Sequence, residues 1–279
     1  MSGPELDPLR RNFDVADLTA AVARHDITAT IVVQTVADLA ETDELLDLAA
    51  EHTLIAGVVG YVDIAARDVG QQLDRLLTHP SGRWLVGVRS LVQYEMDPAW
   101  LGRPDVAAGI SAVAERGLVH DLLILPHQIA ATVDAVRAEP GGRFVIDHLA
   151  KPDIAAGPWE PWATGLAALA VNDNVVAKVS GLVTEADWAT WTDDDIRPFV
   201  DHALQCFGPD RLLFGSDWPV CTLAASYAQI VSSIESFTSQ LSADDCALVL
   251  GGTASATYSL SERIDEIRVD LPIDHQEIP

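Results

Sequence analysis

The chain has 279 residues, is 49% hydrophobic, and carries 17 Lys+Arg against 42 Asp+Glu for a formal net charge of −25. That length suits one domain with a sizeable core, and the acidic excess would repel a phosphate backbone, so no nucleic acid partner is expected. No apolar run nears the roughly 18 residues of a membrane span, and the N-terminus lacks the basic start and apolar core of a secretory signal; no membrane association and a cytoplasmic location are expected.

In chain order, short β-branched runs at residues 29–34, 55–62, 85–89, 118–125, 143–148, 175–180 and 212–216 predict seven strands. They alternate with segments of helical period at 41–51, 68–77, 104–116, 129–138, 161–171, 194–207 and 227–239. This is the rhythm of repeated βα units and a parallel sheet. Asp194 stands before the apolar stripe Ile196, Phe199, Val200, Ala203, Leu204 and Phe207, and Gly208-Pro209 closes that helix. Ser242 reads as the N-cap of a final helix. Trp159, Trp162, Trp188 and Trp191 read as surface-loop anchors. Cys206, Cys221 and Cys246 form no CxxC pair and read as small core residues.

No Gly-rich phosphate turn follows any of these strands, which weakens a dinucleotide-binding sheet. Polar residues recur instead at strand C-termini, where an α/β barrel builds its site. The predicted fold is an α/β (β/α)8 TIM barrel lacking its first strand, a single domain over residues 1–260. Residues 261–279 are charged and Pro-containing and read as a C-terminal surface extension, or as an arm onto a neighbouring subunit in a homo-oligomer.

The strand ends supply Gln34, Arg89, His127, Asp147, His148, Lys178, Ser180 and Asp217. In a barrel these converge on one mouth. Asp217 ends an apolar strand, where a carboxylate needs a hydrogen-bonding turn or a task such as base catalysis or metal ligation. His148 emerges from the apolar run Phe144-Val-Ile, where it is either a task-bearing imidazole or a core histidine bonded to a carbonyl. Arg89 is placed to clamp a carboxylate or a hydroxylated lactone, or to pair with an acidic neighbour. Lys178 lies inside an apolar run and must find an anion, either on a substrate or on Asp217 or Asp147. Trp218 suits a sugar-like ring or plain rim packing.

Three runs carry a likeness beyond these arguments: FVIDHLAKP from Phe144, AKVSGLVTEADW from Ala177, and GPDRLLFGSDWPVC from Gly208. Together they strongly resemble the amidohydrolase 2 family of metal-dependent barrel hydrolases, nearest the branch of L-fuconolactonase, L-rhamnonolactonase and pyrone-dicarboxylate lactonase. The likeness runs from Leu9 to Leu260. It implies opening of a lactone ring, on a sugar-acid lactone or a carboxylated ring, by a small-molecule hydrolase. In that reading Asp217 activates the attacking water, and His148 polarises the carbonyl or, with Asp217, holds one divalent metal, zinc or manganese; some members work metal-free. Arg89, Gln93, His127 and Lys178 would orient the substrate, with Trp218 alongside.

The chain departs from the family pattern in three places. It has no His-x-His pair, Ser90 stands where many relatives have His, and Leu125 stands where many have Arg. The family's first strand normally carries that pair a few dozen residues before the segment matching Glu5 to Arg11. Met1 is therefore expected to be an internal methionine, with a strand ending in His-x-His upstream. The alternatives are a decarboxylase or hydratase of the same superfamily, or a non-catalytic barrel.

Overall fold

All seven predicted strands form, and they pair in sequence order as one parallel sheet: β1 (Thr30–Val33), β2 (Ile55–Gly60), β3 (Leu85–Ser90), β4 (Val119–Leu122), β5 (Arg143–Ile146), β6 (Val175–Val179) and β7 (Leu212–Phe214). The computed structural model describes residues 3–270. Met1, read above as an internal methionine, and residues 271–279 of the expected extension lie outside the described residues. The sheet curls into a half-barrel with helices around it, the TIM-like fold without one strand. β2 and β4 are buried at every position, because helices cover one face of a parallel sheet and interior side chains fill the other.

The helices are α1 (Val15–Val22), α2 (Leu39–Glu51), α3 (Val69–Leu77), α4 (Pro104–Glu115), α5 (Ile129–Ala138), α6 (Trp162–Ala170), α7 (Asp193–Phe207), α8 (Tyr227–Thr238), α9 (Ala243–Ala247), α10 (Thr253–Thr257) and α11 (Ser261–Asp270). Among the described residues none is long and apolar enough to cross a membrane.

The structure corrects three sequence expectations. Thr192, not Asp194, caps α7, exchanging hydrogen bonds with Asp195 three residues on; Asp194 sits in the first turn, favoured there by the helix dipole. Ser242 does cap α9, its hydroxyl accepting from the Asp245 amide, but α10 and α11 follow it. Trp162 is no surface anchor: it is a buried side chain of α6, 2% exposed. Of the cysteines, Cys221 is buried while Cys206 and Cys246 are half-buried.

Two elements outside the βα rhythm cover the ends of the half-barrel. α1 is started by Asp14, whose carboxylate accepts from the Asp17 amide at 3.0 Å. Its Leu18 and Val22 pack with Tyr227 and Val231 of α8 and with Phe214 and Trp218 at the end of β7. At the other end, Tyr258, Leu260 and Ile267 join Ala56, Val59, Val86, Val119, Val145 and Leu213 in one apolar cluster. Arg263 of α11 donates to the Ala56 carbonyl at 2.9 Å and to that of Arg83, tying the C-terminal helix to the N-terminal ends of β2 and β3.

Candidate active site

The parallel register sets the inner face of the sheet. Arg89 pairs with Asp121, and Asp121 with Val145; alternation then turns Asp147 and Lys178 the same way. The four charged side chains meet in the interior. Lys178 Nζ donates to Asp147 Oδ1 at 2.6 Å and Asp121 Oδ2 at 2.8 Å. Asp147 Oδ2 accepts from Arg89 Nη1 at 3.2 Å, while Arg89 Nη2 reaches the Gln34 carbonyl. Asp121 also accepts from the hydroxyl of Tyr258, at 2.8 and 2.9 Å.

Burial is the largest single influence on Asp147, Asp121 and Lys178, and the neighbouring charges oppose it. It would raise Asp147, yet Lys178 and Arg89 hold that carboxyl well below the ordinary range. Asp121 stays raised by burial despite the ammonium beside it. Burial would lower Lys178, but the two aspartates raise it. Removing one partner from such a set strands a buried charge, costing about 3–5 kcal/mol.

Of the two roles open to Lys178 in the sequence, pairing is the one its side chain takes here, with Asp147 and with an unforeseen partner, Asp121. The signal was present: Asp121 interrupts the apolar run from Leu118 to Leu125 just as Lys178 interrupts its own. Arg89 likewise pairs with an acidic neighbour.

Above this layer stand His148 and Asp217. His148 Nε2 lies 3.8 Å from Asp217 Oδ1, too far for a hydrogen bond but close enough for one substrate atom to meet both. His148 Nδ1 is 2.7 Å from Ser180 Oγ. Gly181, with φ +63°, backs onto the pair: a Cβ there would sit 2.6 Å from His148 Nδ1 and 3.1 Å from Asp217 Oδ2. Burial pushes the Asp217 carboxyl above its usual range, with His148 and Arg89 opposing. Burial and the nearby Asp217 push the Cys221 thiol up to about 12, which leaves it inert as a nucleophile.

The backbone that presents these groups is unusual. His148, Leu149, Ala150 and Lys151 run consecutively in the left-handed region, at φ 52°, 50°, 59° and 51°, and Asp217 stands at 54°. Each costs about 1–2 kcal/mol for a residue with a Cβ. The turn is held by burial of Leu149 and Ala150, by the Lys151 amide donating to the His148 carbonyl at 2.8 Å, and by Trp162 Nε1 donating to the Leu149 carbonyl at 2.7 Å. Strain so supported belongs to sites where geometry matters.

Other expected site residues are placed unequally. Gln93 Oε1 accepts from Lys151 Nζ at 3.2 Å, and Lys151 also pairs with Glu185 at 3.0 Å. Lys151, whose charge acts on Asp217, is thus a rim residue that strand-end reasoning passed over, although it lies three positions beyond His148. Trp218 stacks edge-on against Phe13 at 5.3 Å. His127 is exposed on the turn Pro126–Gln128. Its neighbour Gln128 is buried and donates to the Val92 carbonyl at 2.7 Å.

The Amidohydrolase family profile matches residues 2–260. An L-fucono-1,5-lactonase of Burkholderia multivorans is 38% identical over 274 residues, 94% of this chain and 91% of its own. The chain belongs to the amidohydrolase family. A second L-fucono-1,5-lactonase, from Burkholderia ambifaria, is 35% identical over 91% of this chain and 88% of its own length. Among amidohydrolase structures, one from Burkholderia multivorans with bound zinc superposes with a TM-score of 0.87 at 35% identity, covering 92% of each chain.

That zinc raises the question of whether this amidohydrolase has the ligands for a metal. Catalytic zinc takes three protein ligands. His148 and Asp217, the expected pair, stand together, but among the described residues no group of three His, Cys, Asp or Glu is placed to hold an ion. The donor set in this structure is therefore incomplete for zinc or manganese.

Proposed function

We propose that the chain hydrolyses the ester of an aldonolactone, with L-fucono-1,5-lactone and its stereochemical relatives as the substrate class, in the cytoplasm. The observation that carries this is the His148–Asp217 pair, a carboxyl raised by burial beside an imidazole at 3.8 Å, in a family whose near relatives include L-fucono-1,5-lactonases.

The Asp217 carboxylate takes a proton from a water, and the oxygen attacks the lactone carbonyl carbon. A raised carboxyl is a stronger base than a solvated one, which matches it to this task near neutral pH. His148 Nε2–H donates to the carbonyl oxygen as negative charge gathers there, a stabilisation that grows toward the transition state. Collapse of the tetrahedral adduct breaks the ring C–O bond, and Asp217 returns its proton to the departing alkoxide. The product aldonic acid ionises and releases one proton to solution. In this reading Lys151 and Gln93 at the rim would meet ring hydroxyls, with Arg89, Asp147 and Lys178 forming the floor of the site.

A panel of aldonolactones followed by a pH indicator tests this. Proton release well above the spontaneous rate, strongest for lactones of the L-fuconate shape, is expected. Inertness toward the whole panel, with carbon dioxide released from aromatic acids instead, would favour the decarboxylase alternative.

A further inference from the structure

Trp188 and Trp191 stand in the segment between β6 and α7. Each indole is tied down: Trp188 Nε1 donates to the Thr184 carbonyl and Trp191 Nε1 to that of Ala224, both at 2.9 Å. With their N–H groups spent on backbone, the rings offer a ligand apolar area and a π-face. They line a cavity of about 350 Å³ where the segments after β6 and β7 meet α7 and α8. That volume is enough for a small organic molecule.

The polar part of the wall is mixed. Asp193, the first residue of α7, accepts from Ser233 Oγ at 2.6 Å through Oδ1, which leaves Oδ2 without a hydrogen bond among the described residues. Ser233 is 8% exposed and holds the carboxylate from behind. Gln229 commits its Oε1 to the Ser226 cap of α8 and keeps its Nε2 unbonded among the described residues. Ser232, exposed on α8, adds a hydroxyl that can donate or accept. Asp193 is the one charged residue in the wall.

That combination selects among ligands. An anion meets a carboxylate with no cation to offset it, in a chain of net charge −25. A purely apolar molecule strips water from Asp193 and Gln229 and returns nothing. An ammonium suits Asp193 but leaves the amide donor of Gln229 unmatched. A saturated ring with several hydroxyls answers every group: hydroxyls donate to the carboxylate and accept from the amide, and the C–H face of the ring lies on indole.

We infer that this cavity binds a neutral polyhydroxylated ring, a monosaccharide or an uncharged relative such as a lactone, at a site separate from the His148–Asp217 pair. Ser233 also lines a smaller cavity that reaches Ser180 and Gly181, the residues behind that pair, so the two sites stand back to back across the segment that follows β6. For a lactonase the consequence is a preference for substrate over product, because ring opening turns a neutral ligand into an aldonate anion. That consequence rests on the lactonase reading; the sugar site does not.

Saturation-transfer NMR and tryptophan fluorescence of the full chain test it, with fucose, galactose and glucose as neutral probes, gluconate as the anion and tetramethylammonium as the cation. At least one neutral sugar should receive saturation from aromatic protons and give a saturable fluorescence change, and the two ions should not. Trp188→Leu should weaken sugar binding about 2- to 10-fold. Ser232→Trp, at an exposed helix position, fills the cavity and should abolish sugar binding while the thermal melt and lactone turnover stay at wild-type values. Asp217→Asn should bind the sugars as the wild type does. No saturable binding of any of the three sugars, tighter binding of either ion, or sugar binding that survives Ser232→Trp would overturn the inference. Sugar binding lost in a folded Asp217→Asn would place the sugar in the mouth and overturn it as well. A chain that binds sugars as expected but opens no lactone would overturn the lactonase reading and leave the sugar site standing.

Discussion

One methyl group is enough to ask whether His148 and Asp217 work as a pair. Gly181→Ala must place its Cβ 2.6 Å from His148 Nδ1 and hold a left-handed φ of +63°. The expected outcome is a stability loss of about 1–2 kcal/mol from the backbone, with a fall in lactone turnover on the order of 10²-fold from misplacement. Denaturant melts and steady-state rates on the same preparation check this; unchanged turnover in a destabilised variant would place the chemistry elsewhere. The pair is legible in the sequence because both residues end apolar strands where charge has no cheap place to sit. Lys178 is legible on the same ground, but not its partners. Asp121 lies 57 residues from Lys178 and Tyr258 lies 137 from Asp121, and no local pattern states which distant carboxylate a buried ammonium will meet. Gly181 is equally silent, since a glycine in a loop shows its reason only when the neighbours that crowd it are known.

Among the elements, the left-handed turn after β5 depends on α6 to hold it. Trp162 lends its indole N–H to the Leu149 carbonyl at 2.7 Å. Trp162→Phe keeps most of the apolar surface and removes that donor from a buried acceptor. A loss of about 1–3 kcal/mol is expected, together with reduced turnover as His148 loosens. Thermal melts and lactone assays of the variant measure both, and a variant that melts and turns over like the wild type would mean the turn is held without α6. The turn itself is not legible: residues 148–151 contain no glycine, and a run of non-glycine residues with positive φ goes against local preference. The strands are far more readable because β-branched runs bounded by polar residues have few alternatives. Six of the seven C-terminal ends come out short, β4 at Leu122 and not residue 125, β7 at Phe214 and not residue 216, while β3 runs one residue longer, to Ser90. There the backbone stops pairing to aim side chains into the mouth. α1 is missed because its apolar face is matched to α8 and β7, partners some 200 residues away in the chain.

At the scale of the whole molecule, stability should depend on pH through a residue outside the mouth. His120 is buried on β4, with Nε2 2.8 Å from Ser90 Oγ, and burial lowers it from 6.5 to about 4. The folded protein keeps it neutral while the unfolded chain takes up a proton below pH 6.5, so stability falls as pH drops from 6.5 toward 4. The full effect is about 3 kcal/mol. Asp121 and Asp217 act in the opposite sense: burial raises both, so the folded state binds their protons first and gains stability as pH falls through their raised values. The His120 contribution is therefore read as a difference. Urea melts from pH 7 to 4 should cost the wild type about 3 kcal/mol more than Ser90→Ala/His120→Leu, and parallel curves for the two would contradict it.

The fold and the site meet most directly in the Asp217 carboxyl. The measurement is the pH profile of kcat/KM for an aldonolactone with the wild type and with Asp217→Asn, both checked for native folding. The account predicts an acidic limb set by a carboxyl above its ordinary range, activity falling as pH falls through it, and a loss of about 10²- to 10⁴-fold in the amide variant. An Asp217→Asn protein that folds and opens the lactone at near wild-type rate would contradict it.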